Sequence, residues 1–253
     1  MRTFHILLII GFIALYSVFI FFVDIDIEFD IASELMIASV FFFALFSGFF
    51  IARQNERYTR IIDIIAQRDG LFSYIYRVFG LVPRMQSEIR EIIKAHYTKI
   101  LDTDNWAYNE FHPSTTITRL TKTMGSITKE EAGTIDGHSP YDGIWDTILQ
   151  LQQIRKKIIA AYNERLLLFQ WVLIYVFAGL VVLSFHFLQT DSFLVDVVKI
   201  IFGTAVFLVV ILIKQLNDLS IFGKDFSRNI AHDVLRILDE VDAKEIKEKE
   251  PVK

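Results

Sequence analysis

Residues 32–60 read ASELMIASVFFFALFSGFFIARQNERYTR, and this stretch decides the fold. From Ala32 to Ala52 it holds one acid, Glu34, near its start, and Arg53, Arg57 and Arg60 close it. A helix rises about 1.5 Å per residue, so some twenty apolar residues cross a hydrocarbon core of about 30 Å. The chain is expected to cross a membrane here, with the arginine end on the cytoplasmic side.

Three further runs have the same character: Phe4 to Val23, Leu166 to Leu188 and Phe193 to Ile213. The first is longer than the apolar part of a cleaved signal peptide and is followed by acids and large apolar residues, with no small-x-small cleavage site. It is therefore read as a span. Lysine and arginine sort to one side. Arg2 precedes the first span, Lys156, Lys157 and Arg165 precede the third, and Lys214 and Lys224 follow the fourth. The short connections 24–31 and 189–192 contain neither residue. Four spans with both termini in the cytoplasm, in a cell membrane, follow from the positive-inside rule.

Composition agrees. In 253 residues, 53% are hydrophobic and 22% charged, and the mean hydropathy of +0.41 is high for a soluble protein. A formal charge of −4 provides no global basic field for nucleic acid. With no cysteine, disulfides, thiol nucleophiles and Cys-bearing metal sites are excluded. The six histidines show no metal-binding pair, and no phosphate-binding glycine loop, nucleophile elbow or dinucleotide fingerprint occurs. Neither an enzyme nor a cofactor is expected.

The expected fold is an all-α membrane protein of four transmembrane helices with a cytoplasmic helical bundle. Residues 1–52 form a hairpin of spans 4–23 and 32–52 around an acidic external loop, 24–31. Residues 53–165 form a cytoplasmic helical domain, in which Ile61, Ile65, Phe72, Ile75 and Ile89, Ile92, Ile93, Ile100 recur at three- and four-residue spacing. Pro83 separates the two apolar blocks. Residues 113–140, rich in Thr, Ser and Gly, read as a loop. Nothing between Ile144 and Ala178 breaks a helix, so one continuous helix is expected to enter the third span, and span two is expected to run on past Ala52. Residues 166–213 form a second hairpin of spans 166–188 and 193–213. Residues 214–253 form a C-terminal amphipathic helix, 227–241, and a charged tail.

Several residues carry candidate roles. Val23 to Ile31 alternates apolar and acidic residues, which in an extended strand sets Asp24, Asp26, Glu28 and Asp30 on one face. With Glu34 they would concentrate cations at an outer vestibule, or simply keep the loop external. In span two, Phe41, Leu45 and Phe49 form one i, i+4, i+8 stripe, and Phe42, Phe46 and Phe50 form another. Either trio could line a hydrophobic constriction or pack against lipid and neighbouring helices. Asp196 and Lys199 are i, i+3 neighbours near the outer end of span four, and His186 ends span three; compensation within the pair favours a structural role.

The layout resembles the bestrophin-like membrane proteins, in particular the prokaryotic and plant branch. The resemblance rests on Ser47-Gly48-Phe49-Phe50-Ile51-Ala52-Arg53, Leu71 to Tyr76 followed by Leu81-Val82-Pro83, Tyr97 with Trp106, and Asn163-Glu164-Arg165-Leu166. It also rests on Leu216 to Phe226, which is similar to the Pro-Phe-Gly segment after the last bestrophin span. It implies a homopentamer whose second span lines a pore, and aligning Gly48-Phe49 selects Phe41, Leu45 and Phe49 as the neck. The sequence departs from the family at Ile221, in place of the proline, at Asn105 before Trp106, and at Lys224-Asp225-Phe226, where calcium-regulated members carry acids. The resulting expectation is a pentameric ion channel, weakly selective or cation-leaning. Its partners are the bilayer, its own copies and inorganic ions. The alternative is a non-conducting scaffold whose cytoplasmic helices bind another protein.

Overall fold

The computed structural model describes residues 10–18, 29–79, 83–112, 115–126, 140–187, 193–222 and 224–249. Among them there are helices and turns and no strand, as an all-α reading requires. The helices are α1 (10–18), α2 (Phe29–Phe79), α3 (Pro83–Thr103), α4 (Tyr108–Phe111), α5 (Thr115–Gly125), α6 (Pro140–Asn163), α7 (Leu168–Phe187), α8 (Phe193–Asn217) and α9 (Lys224–Lys249). They divide between two compact units, residues 1–58 with 165–221 and residues 59–164 with 222–253.

The first unit holds α1, the N-terminal part of α2, α7 and α8. Among the described residues, three helices, within Ser33–Val78, Gly143–Phe187 and Phe193–Asn217, contain apolar stretches long enough to cross a membrane. Most of the expected first span lies outside the described residues, of which 10–18 are helical. The core joins Phe43 and Phe50 of α2, Ile174 and Val181 of α7, and Val206, Val210 and Ile213 of α8. Packing is close where side chains are small. The Ser39 and Ser184 hydroxyls lie 3.2 Å apart, and a Cβ on Gly203 would collide with the Tyr16 ring. Phe12 of α1 stacks on Phe207 at 4.2 Å.

The second unit is a helical bundle with its own core. In α3, Met85, Ile89, Ile92, Ile93, Tyr97 and Ile100 are all buried, as their three- and four-residue spacing predicts. α3 packs against α4, α5 and α9, and α6 packs against α4 and α5. Pro83 opens α3, where its missing amide costs nothing. The helix ends with Asp104 at φ 48°, the Asn105 amide donating back to the Ile100 carbonyl at 3.3 Å. α8 ends the same way, Leu219 at φ 53° with the Ser220 amide on the Gln215 carbonyl at 3.0 Å.

Three expectations need correction. Within the expected loop 113–140, residues 115–125 form α5 and bury Thr116, Leu120, Thr123 and Met124. Those positions run i, i+4, i+7, i+8, and threonine at two of them conceals the stripe; residues 127–139 lie outside the described set. The continuous helix from Ile144 to Ala178 is broken at 164–167. There the Leu166 amide donates to Asn217 Oδ1 at 2.7 Å and the Leu167 amide to Gln170 Oε1 at 2.9 Å. The C-terminal helix is longer than 227–241, running Lys224–Lys249. By contrast, span two does run on past Ala52, because α2 is helical to Phe79.

Candidate functional site

The exposed face of α2 is set by its sequence. Phe43, Ser47 and Phe50 turn toward α7 and α8, which leaves the opposite face open. On that face Phe41, Leu45 and Phe49 are 61%, 54% and 59% exposed. Gly48 lies beside them with open space at its Cβ position. Ile37, Ala38, Ala44 and Ala52 continue the same exposed apolar surface, and Glu34 is exposed at its start. The second trio behaves differently. Phe46 is half-buried and stacks on Phe177 at 5.3 Å, Phe42 meets the same ring at 5.5 Å, and Phe50 is 2% exposed in the core. Phe46 and Phe50 thus serve helix packing within the chain, while Phe42 touches Phe177 but is still 42% exposed.

Where the apolar face of α2 ends, a polar cluster ties α2 to α8 and to the start of α7. Arg57, 1% exposed, donates from Nη1 to Gln54 Oε1 at 2.9 Å and to the Asn217 carbonyl at 3.0 Å. The Asn217 side chain in turn accepts from the Leu166 amide and donates to Asp218 at 3.1 Å. Arg57 was expected among flanking cations; the structure buries it instead. Its signal in sequence was Gln54 three residues earlier, on the same helical face.

Of the remaining candidates, Asp196 and Lys199 are brought together at 3.2 Å, so the pair compensates itself as its spacing predicts. His186 is buried near the end of α7. Asp24, Asp26 and Glu28 lie outside the described residues. Asp30 sits in the first turn of α2, so the extended alternation does not reach it.

In the second unit the structure assembles a charged cluster that no motif announced. Arg68 and Glu110, both nearly fully buried, pair at 3.0 Å. Arg68 also meets Asp69 at 3.1 Å, and the Tyr97 hydroxyl donates to the same carboxylate at 2.5 Å. Burial works against the Arg68 charge, yet Asp69, Tyr97 and Glu110 together raise its pKa above the usual arginine value. The Tyr97 pKa is also pushed up, first by burial and then by Asp69. Arg155 donates two bonds to the Glu110 carbonyl, at 3.1 and 3.0 Å. The clue lay in position: Arg68 is four residues from both Ile64 and Phe72, on an apolar face where a charge needs a partner. Nearby, Trp106 packs against Phe222 at 5.2 Å, Tyr162 at 6.0 Å and Phe226 at 6.4 Å. Two widely separated motifs thus meet in one aromatic cluster.

Among the described residues no group of histidine and carboxylate side chains is placed to hold a metal ion. Comparison with curated proteins and with solved structures finds no match. Residues 28–220, however, match the family described as the Bestrophin-like domain. They take in α2 to α8, the exposed face of α2 and the Arg57–Asn217 cluster; the chain is an integral membrane protein of the bestrophin-like family.

Proposed function

We propose that this protein is a homopentameric ion channel whose second span lines the pore. The observation that carries the reading is the face of α2 on which Phe41, Leu45 and Phe49 stand more than half exposed, with small residues between them. A row of large apolar side chains left open by its own chain is suited to meet copies of itself around an axis, where it forms a neck that gates by dewetting. Family membership and the apolar helices support this assignment. Four spans, cytoplasmic termini and a cytoplasmic second unit complete the topology, on the distribution of lysine and arginine. The acids Asp24, Asp26, Glu28, Asp30 and Glu34 at the outer mouth make the channel weakly selective with a lean toward cations.

The test is planar-bilayer recording in asymmetric KCl of the purified protein and of the triple variant Phe41→Ala, Leu45→Ala, Phe49→Ala. Larger currents are expected in the variant, with a reversal potential displaced toward that of potassium. Silence from both proteins, each shown to be folded and oligomeric, would refute the channel. It would favour the scaffold alternative, in which the second unit, compact in its own right, binds a cytoplasmic protein.

A further inference from the structure

A cavity of about 480 Å³ lies in the second unit among α3, α4 and the start of α5. Its wall includes Lys99, Arg119, His96 and His112 and no aspartate or glutamate. In a chain of net charge −4 that is a local inversion of sign. α5 begins at Thr115 in the wall, and its first turn carries no acid to offset the partial positive charge of the helix start.

His96 is an independent pointer to a ligand. It is 5% exposed, its Nδ1 lies 3.1 Å from the Thr116 hydroxyl, and its Nε2 has no hydrogen-bond partner. Burial, and then the Arg68 charge, holds the ring's pKa well below the usual histidine value, so it is neutral. A buried ring nitrogen without a partner, on a side chain that lines a cavity, is costly unless a ligand meets it. The wall also has a flat side, where the Tyr108 and His112 rings stack at 4.0 Å with an interplanar angle of 10°.

We propose that this cavity binds a small organic phosphate. Lys99, Arg119 and the first turn of α5 hold the phosphate group, the His96 ring borders the ligand, and the organic part lies against Tyr108 and His112. The volume is too large for inorganic phosphate alone, and the cationic wall matches a doubly charged monoester. The site lies within the second unit and stands whether or not the protein conducts ions. The phosphate can belong to a soluble metabolite or to a lipid headgroup.

Glycerol 3-phosphate is titrated calorimetrically into the full-length protein in phosphatidylcholine nanodiscs, and again in nanodiscs doped with phosphatidic acid. The comparison proteins are the double variant Lys99→Gln, Arg119→Gln and the single variant Lys94→Gln. All three substituted residues are exposed, and Lys94 is on α3 but outside the cavity. Saturable binding is expected, weakened roughly tenfold or more in the double variant, since contacts to charged groups are the strong ones, and unchanged in Lys94→Gln. Weaker apparent binding with phosphatidic acid present assigns the site to a lipid headgroup; indifference assigns it to a soluble phosphate. Absence of saturable binding in both nanodiscs, equal affinity in the double variant, or equal weakening by Lys94→Gln overturns the proposal.

Discussion

Replacing Glu110 by glutamine leaves the shape of the second unit's charged cluster intact and removes one charge. The Arg68 and Glu110 side chains are 3% and 5% exposed and meet at 3.0 Å. Arg68 would then hold a single carboxylate, Asp69, which it already shares with the Tyr97 hydroxyl. Its Nη2 is without a hydrogen-bond partner even in the native cluster, so nothing is in reserve. The Glu110 backbone contact with Arg155 is unaffected by the substitution. Removing one partner of a buried pair typically costs about 3–5 kcal/mol, and Asp69 brings the expected loss to the low end, about 3 kcal/mol. For a chain of this size each kcal/mol shifts the melting temperature by about 2–4 °C, so Glu110→Gln should melt about 6–12 °C lower. Tryptophan fluorescence of the detergent-solubilised protein reports this directly, because Trp106 and Trp145 belong to the same unit. The double variant Arg68→Met, Glu110→Leu should recover most of the loss, since it leaves no uncompensated guanidinium. A Glu110→Gln protein that melts within about 1 °C of wild type, or a double variant whose loss is the sum of the singles, would refute the assigned role.

Two further outcomes follow from other residues. His96 has a pKa held below its unfolded value, so the unfolded chain takes up its proton first on acidification. The stability His96 contributes is complete above about pH 6.5 and declines by about 1.4 kcal/mol per pH unit below it, until the folded-state pKa is reached. Chemical denaturation between pH 5 and 7 should show this slope in wild type and a flatter one in His96→Gln; parallel slopes would contradict it. Asn217→Ala deprives the Leu166 amide of its acceptor and should cost about 1–3 kcal/mol, read as a lower melting temperature, while the exposed substitution Asn163→Ala should change little.

The fold was legible where periodicity alone decides the environment. The apolar runs of α2, α7 and α8, the isoleucine face of α3 and the amphipathic face of α9 all follow from spacing. α5 was not, because threonine occupies half of its buried positions and composition reads Thr-rich segments as loop. The exposed trio on α2 was visible as one of two stripes. Choosing between them from within the chain needs to know which face α7 covers, a tertiary fact carried by Phe177 and Ser184. The charged cluster was illegible for a related reason. Its members stand at positions 68, 69, 97 and 110, and only the packing of helices brings them to one place.

The break between α6 and α7 shows how little a sequence says about where a helix stops when another part of the chain supplies the ending. Nothing from Asn163 to Leu168 disfavours helix; there is no proline, no glycine and no β-branched residue. A helix that stops there exposes carbonyls at one end and amides at the next start, and burying them without partners would cost more than continuing the helix. The amides are satisfied from outside and from ahead: Leu166 by Asn217, fifty-one residues later, and Leu167 by Gln170. Asn217 can do this because it closes α8, in the last helical position before the left-handed turn at Leu219, and because its own carbonyl is occupied by Arg57. The end of one helix thus specifies the beginning of another. Gln54, Arg57, Leu166 and Asn217 have to be read together for either boundary to make physical sense.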